Sequence, residues 1–195
     1  SFEPVEVDDE APCIVRAMAG AARKAGVGPM AAVAGAIASR VGEALSAECD
    51  EVIVENGGDN FILTSKERFV GVYAGSSPLS ERLAIRIKPR TAASDAGEAG
   101  ARARRVGVCT SAGNVGPSFN FGTADAVTVI SEDVAFADAA ATAVANRVRS
   151  ARDIEKAIEF AASLAGLDGV LIIKGGRLGC WGDLELAPAV PGPTR

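Results

Sequence analysis

The sequence predicts an α+β fold in a single domain, with packed alanine-rich helices and a sheet that is mixed or mostly antiparallel. Three observations carry this. Helical and strand-like stretches come in blocks, two helices, a run of strands, two helices and a closing hairpin, without the strict alternation of a doubly wound fold. Aromatic residues are only 5% of a chain that is 48% hydrophobic, so Ala, Val, Ile and Leu must build the core by close helix packing. At 195 residues, 23% of them charged, the chain can bury one substantial core and has a globular balance.

Residues 1–10 are acidic and aperiodic and read as a tail. Pro12 suits the first turn of a helix, Ile14, Val15, Met18 and Ala22 follow at helical spacing, and Gly26 ends it. After the sharp Gly26-Val27-Gly28-Pro29 connection, Met30 to Leu45 reads as a second helix, its Gly35 and alanines set for close packing. Strands are predicted at Glu51–Val54 and Phe61–Leu63 around the turn Glu55 to Asn60, then at Val70–Ala74 and Leu83–Ile87 around Ser76-Ser77-Pro78. Residues 90–105 read as a mobile loop, the basic cluster Arg102, Arg104 and Arg105 being solvated within it. Val106–Thr110 and Ala124–Ile130 read as strands. Ser131 or Asp133 can cap the helix that follows, and Ser150 with Asp153 resembles a capping box for a last helix running to Gly166. Val170–Lys174, Gly175-Gly176 and Leu178–Leu186 read as a closing hairpin.

The net charge of −5 argues against nucleic acid as the main partner, since phosphate neutralisation needs clustered Lys and Arg. The absence of histidine excludes a His general base, Ser-His or Cys-His nucleophile pairs and His-ligated zinc, so a bound metal should be a hard cation held by oxygen. Cys13, Cys49, Cys109 and Cys180 make no CxxC and read as buried free thiols of a reducing cytoplasm, although two of them could pair. No apolar run approaches the ~20 residues of a membrane span, so a cytoplasmic location is expected.

Three constellations carry candidate chemistry. Asn56-Gly57-Gly58-Asp59 combines two positions free to adopt positive φ with directional donors and acceptors, which suits a ligand against the backbone and equally a plain hairpin turn. Thr110-Ser111-Ala112-Gly113-Asn114 places hydroxyls and N–H groups at a strand end, apt for a phosphate or carboxylate oxygen, or for a simple loop. Asp138 and Thr142, four residues apart, share one helix face among Ala135, Ala139, Ala141 and Ala145. Together they could give two oxygens to Mg²⁺ or Ca²⁺, or Asp138 could simply favour its helix N-terminus.

The order GPMAAVAGAIA, EVIVENGGDNF, GVCTSAGNVG, ADAVTVI and FADAAATAVANRV resembles the ApbE-like superfamily, best known for FAD:protein FMN transferases once called thiamine biosynthesis lipoproteins. The wording NGGD, CTS and FADAAATAV is closer still to short prokaryotic ApbE-like proteins. The resemblance covers roughly residues 26–148. It implies that Asp138 and Thr142 hold Mg²⁺, with a backbone carbonyl near Gly28 as a third ligand. It also implies that Asn56, Gly57, Gly58 and Asp59 lie along FAD, and that Thr110, Ser111 and Gly113 match the TSG at the flavin-nucleotide site. The implied chemistry is Mg²⁺-assisted attack of a protein Thr hydroxyl on the FAD pyrophosphate, with AMP leaving. The sequence departs from that pattern where the transferases carry His-x-x-Asp-Pro-x-Thr-Gly, having Val115 to Gly122 instead, and where they carry Lys-Gly-Tyr, having Val27 to Ala31. A divalent-cation and flavin-nucleotide site is therefore expected, with transfer chemistry or, alternatively, a non-catalytic binding or scaffold role. Self-association into a homo-oligomer stays open.

Overall fold

Six strands form the central sheet of the computed structural model, which describes residues 1–91, 101–113 and 120–189. In spatial order they are β1 (Val52–Asn56), β2 (Asp59–Thr64), β7 (Arg104–Ser111), β8 (Ala126–Ser131), β9 (Gly169–Lys174) and β10 (Arg177–Gly182), every neighbouring pair antiparallel. A smaller sheet joins β11 (Glu185–Pro188), β4 (Leu83–Ile87) and β3 (Arg68–Gly71), and β5 (Arg90–Thr91) pairs with β6 (Ala101–Arg102). The fold is α+β in a single domain, and all pairing among the described residues is antiparallel.

Side chains alternate across a strand, so each central strand feeds two cores. Phe61, Cys109, Val127, Val129, Val170 and Ile172 face a helix layer of α1 (Cys13–Ala25), α2 (Val33–Leu45), α3 (Val134–Ala145) and α4 (Ile154–Ser163). Ile62, Val106, Val108, Ile130, Leu171 and Ile173 face the smaller sheet through Ile85, Ile87 and Val72. Double coverage explains the near-continuous apolar reading of β8 and β9. In α3, eleven of twelve residues are buried, because α1, α2, α4 and the sheet surround it; alanines fill most of its faces, with Val134, Phe136 and Val144 as the larger apolar side chains.

Several local expectations hold in detail. Asp133 caps α3, accepting from the Phe136 N–H at 3.1 Å, and Ser150 with Asp153 forms a capping box at the 3₁₀ turn leading into α4. Gly26 ends α1 in the left-handed conformation, φ 72°.

Others are corrected. The predicted helix Met30–Leu45 is two pieces, a 3₁₀ turn at Pro29–Ala32 and α2 from Val33, because Ala32 leaves helical geometry at φ −119°, ψ 7°. Leu178–Leu186 is not one hairpin arm. At Gly182, φ 91°, the chain leaves β9's partner and crosses to the smaller sheet, passing so near Asp168 that a Cβ would sit 2.2 Å from its carbonyl oxygen. Residues 92–100 of the expected mobile loop lie outside the described residues, but Arg104 and Arg105 belong to β7. Arg104 meets Asp168 at 3.4 Å, and Arg105 pairs with Glu43 and covers the Phe61 ring at 5.4 Å. All four thiols are free, yet only Cys109 is buried. Among the described residues no helix is long and apolar enough to cross a membrane.

Candidate functional site

The period-two rule decides which residues of the hairpin and strand end can meet the helix layer. On β2, Asp59 shares a face with Phe61 and therefore points at α2 and α3, while Asn60 and Ile62 point away. Pairing sets Asp59 opposite Cys109 of β7, so Cys109 also faces the helices and Thr110 does not. Gly57 and Gly58 are the two-residue turn of the β1–β2 hairpin, at φ 66° and 102°, values that favour glycine at both positions.

From the opposite side, α3 presents Asp138 and Thr142. The Asp138 carboxylate accepts the Gly35 N–H at 2.8 Å, with the Ala34 N–H also turned toward it. Residue Ala32, at the start of α2, has no side chain to cap it, so Asp138 does so from another helix. The break in the Pro29–Leu45 segment is what frees those two N–H groups. Asn56 secures the same turn by donating from Nδ2 to the Ala34 carbonyl at 3.2 Å. The close approach of α2 to α3 rests on Gly35, where a Cβ would lie 2.6 Å from the Val134 carbonyl oxygen.

Asp59, Asp138 and Thr142 line one cavity of about 530 Å³, floored by the Gly28–Ala34 segment and reached by Asn146, one helical turn beyond Thr142. Asp59 is 7% and Asp138 9% exposed. Burial, and for Asp138 also the charge of Asp59, push both carboxyls well above the usual carboxylate range. The fully buried Cys109 thiol sits between Asp59 and the Val134 carbonyl, 3.5 Å from the latter, and burial raises its pKa too. No Lys or Arg among the described residues lines the cavity.

The other sequence-predicted residues lie elsewhere. Gly57, Gly58 and Thr110 line a second cavity of about 450 Å³ on the far face of the sheet, with Asn60, Phe69 and Tyr73. Thr110 there shares a hydroxyl hydrogen bond of 2.9 Å with Thr128. Ser111 is buried and accepts from Asn120 Nδ2 at 3.0 Å. Gly113 is pressed against Gly122 and Thr123, its N–H bonded to the Ala124 carbonyl at 2.8 Å. Asn114 and residues 115–119 lie outside the described residues. Thus Asp59, Asp138 and Thr142 share one cavity, Asn56 is bonded to the Ala34 carbonyl of its floor, and Gly57, Gly58 and Thr110 line another.

Sequence reasoning missed Cys109 and Asn146 as site residues, and it read Gly35 for its close packing but not for its N–H to Asp138. Cys109 was legible only as part of an apolar run, and its position follows from pairing with Asp59. Asn146 continues the Asp138–Thr142 spacing by four and could have been found from it.

Two carboxylates and a hydroxyl fit a hard divalent cation in donor type. Among the described residues no three Asp, Glu or Cys side chains converge as a metal-ligand set, so carbonyl, water or ligand oxygens would complete the coordination. Asp59 Oδ1 is buried without a hydrogen-bond partner, an oxygen for which a cation would account.

An all-antiparallel sheet between a helix layer and a small sheet, with paired acids under the helices, defines the class of this protein. The chain belongs to the family described as AbpE bacteria, whose model matches residues 1–179. It is similar to UPF0280 proteins of archaea: 41% identical over 184 residues to that of Methanosarcina acetivorans, covering 93% of this chain and 68% of the relative. The UPF0280 protein of Methanosphaerula palustris is 43% identical over 177 residues, 90% of this chain and 68% of the relative. That of Methanocaldococcus jannaschii is 40% identical over 188 residues, 94% and 72% of the two chains.

Proposed function

We propose that this protein binds a divalent cation, Mg²⁺ by its donor chemistry, together with a flavin or other nucleotide-like small ligand in the cavity beside Asp138. One observation carries the reading: two buried carboxylates and the Thr142 hydroxyl face a single cavity with no basic side chain lining it among the described residues. Buried carboxylates without a cationic partner call for a proton or a cation. Asp138 and Thr142 would hold the ion, and Asn56, by fixing the Ala34 carbonyl, would keep the cavity floor in place. A bound Mg²⁺ supplies charge neutralisation at a phosphate, the chemistry of phosphoryl- or nucleotidyl-type transfer. The cavity volume lies within the range of small-ligand sites.

A second reading, ligand binding or scaffolding without catalysis, is favoured by the missing histidine and by the absence of a lysine from the cavity lining. Titration with FAD, with and without Mg²⁺, tests both through flavin fluorescence and AMP release. Saturable Mg²⁺-dependent quenching supports the flavin site, and AMP release, with the FMN phosphate passed to water or to the Thr hydroxyl of an added acceptor protein, supports transfer chemistry. No quenching removes flavin as the ligand; quenching without AMP release supports the second reading.

A further inference from the structure

We propose that Asp59 is the second carboxylate ligand of the cation site, so that the ion is held by the sheet and the helix layer together and not by α3 alone. This rests on the cation reading above.

Asp59 stands at the end of a hairpin turn, where an Asp ordinarily serves the turn itself. Here it does not. The Gly58 N–H is taken by Glu55 Oε1 at 2.8 Å, and strand parity turns Asp59 inward beside Phe61. Its side chain is more than nine-tenths buried, and Oδ1 has no hydrogen-bond partner. The other buried acids contrast with it. Asp125 accepts the Gly175 N–H at 2.5 Å and lies 3.5 Å from Lys174, and Asp138 accepts the Gly35 N–H. Asp59 accepts from the Cys109 thiol and the Thr110 N–H, yet among the described residues its Oδ1 is the one fully buried side-chain oxygen left without a hydrogen-bond partner.

That oxygen belongs to a residue lining the same cavity as Asp138 and Thr142. Two carboxylates carry the charge that one divalent ion cancels, and no Lys or Arg of the described residues competes for that role in the cavity. The hairpin glycines then have a positional consequence: a two-residue turn fixes the register that sets Asp59 opposite Cys109, one residue from a slip that would turn its carboxylate to the other face.

The test is Mn²⁺ binding, read by calorimetry and by the electron paramagnetic resonance of the free ion, in the full chain and its Asp59→Asn, Asp59→Ser and Asp138→Asn variants, with circular dichroism to follow unfolding. Both Asp59 variants should weaken Mn²⁺ binding by at least about tenfold, the loss caused even by residues that only support metal ligands, and should still unfold cooperatively without metal. If they bind Mn²⁺ as the parent does while Asp138→Asn does not, Asp59 is no ligand and the cation reading stands on α3. Failure of the parent chain to bind Mn²⁺ overturns both. Loss of cooperative unfolding in both Asp59 variants makes the residue structural and also overturns the assignment.

Discussion

Replacing Gly35 by alanine should drive α2 away from α3 and loosen the hold on Asp138. The new methyl would lie 2.6 Å from the Val134 carbonyl oxygen and 2.7 Å from Asp138 Cβ, inside the 3.0 Å below which real Cβ atoms essentially never approach. Both obstacles sit on the buried helix α3, and neither can rotate aside. Such overpacking costs about 1–3 kcal/mol, and weakening the Gly35 N–H···Asp138 bond adds about 1 kcal/mol. Alanine returns at most about 1 kcal/mol of helix propensity. The balance is a loss of about 1–3 kcal/mol, or a fall in Tm of ~2–12 °C for a chain this long. Gly20→Ala in α1 is the control. No atom lies within 4 Å of its Cβ position, so only the propensity gain of about 0.5–1 kcal/mol remains and Tm should rise. Thermal unfolding of both variants beside the parent decides the matter. A Gly35→Ala protein as stable as Gly20→Ala would refute the tight α2–α3 contact on which the cavity floor depends.

Asp138→Ala should cost about 1–2 kcal/mol in urea unfolding through loss of the cap on α2, whereas Asp138→Asn keeps an acceptor for Gly35 and should lose less; equal losses would deny the capping role. Gly57→Ala meets no atom within 4 Å but holds φ at 66°, so it should destabilise by about 1 kcal/mol in urea unfolding through backbone strain; unchanged stability would deny the strained turn. Glu51 accepts from Ser65, Thr64 and Arg68, which hold its carboxyl well below the usual range. A depressed pKa contributes stability above the ordinary value of 4.5 and loses it as pH falls through the folded-state value. Urea titrations of Glu51→Gln should therefore show a shallower loss of stability at acid pH than the parent; an unchanged acid limb would count against the network.

The sequence carried the local decisions legibly because their causes are local. Asp133 and the Ser150–Asp153 box announce helix starts through their own hydrogen bonds, Gly26 announces a helix end, and the paired glycines at 57–58 announce a hairpin. The break at Ala32 was not legible, since Pro29 to Leu45 has helical composition throughout. What breaks that run is a carboxylate more than a hundred residues away in the chain, which takes the N–H groups of Ala34 and Gly35. The exit of the chain at Gly182 likewise answers to Asp168 on a neighbouring segment.

For the site, the sequence by itself determined the donor chemistry: no histidine, an Asp and a Thr one helical turn apart on a face of small residues, and an Asp after a glycine turn. Only the tertiary structure decided which of them share a cavity. Strand parity sends Asp59 and Cys109 toward the helices and Thr110 toward the other sheet, and the antiparallel register of β2 with β7 sets Asp59 opposite Cys109. A one-residue slip would exchange those faces without changing a letter of the motifs. Residue types follow from local composition, but convergence depends on pairings between segments distant in the chain, and those are selected by the burial of both faces of the sheet at once.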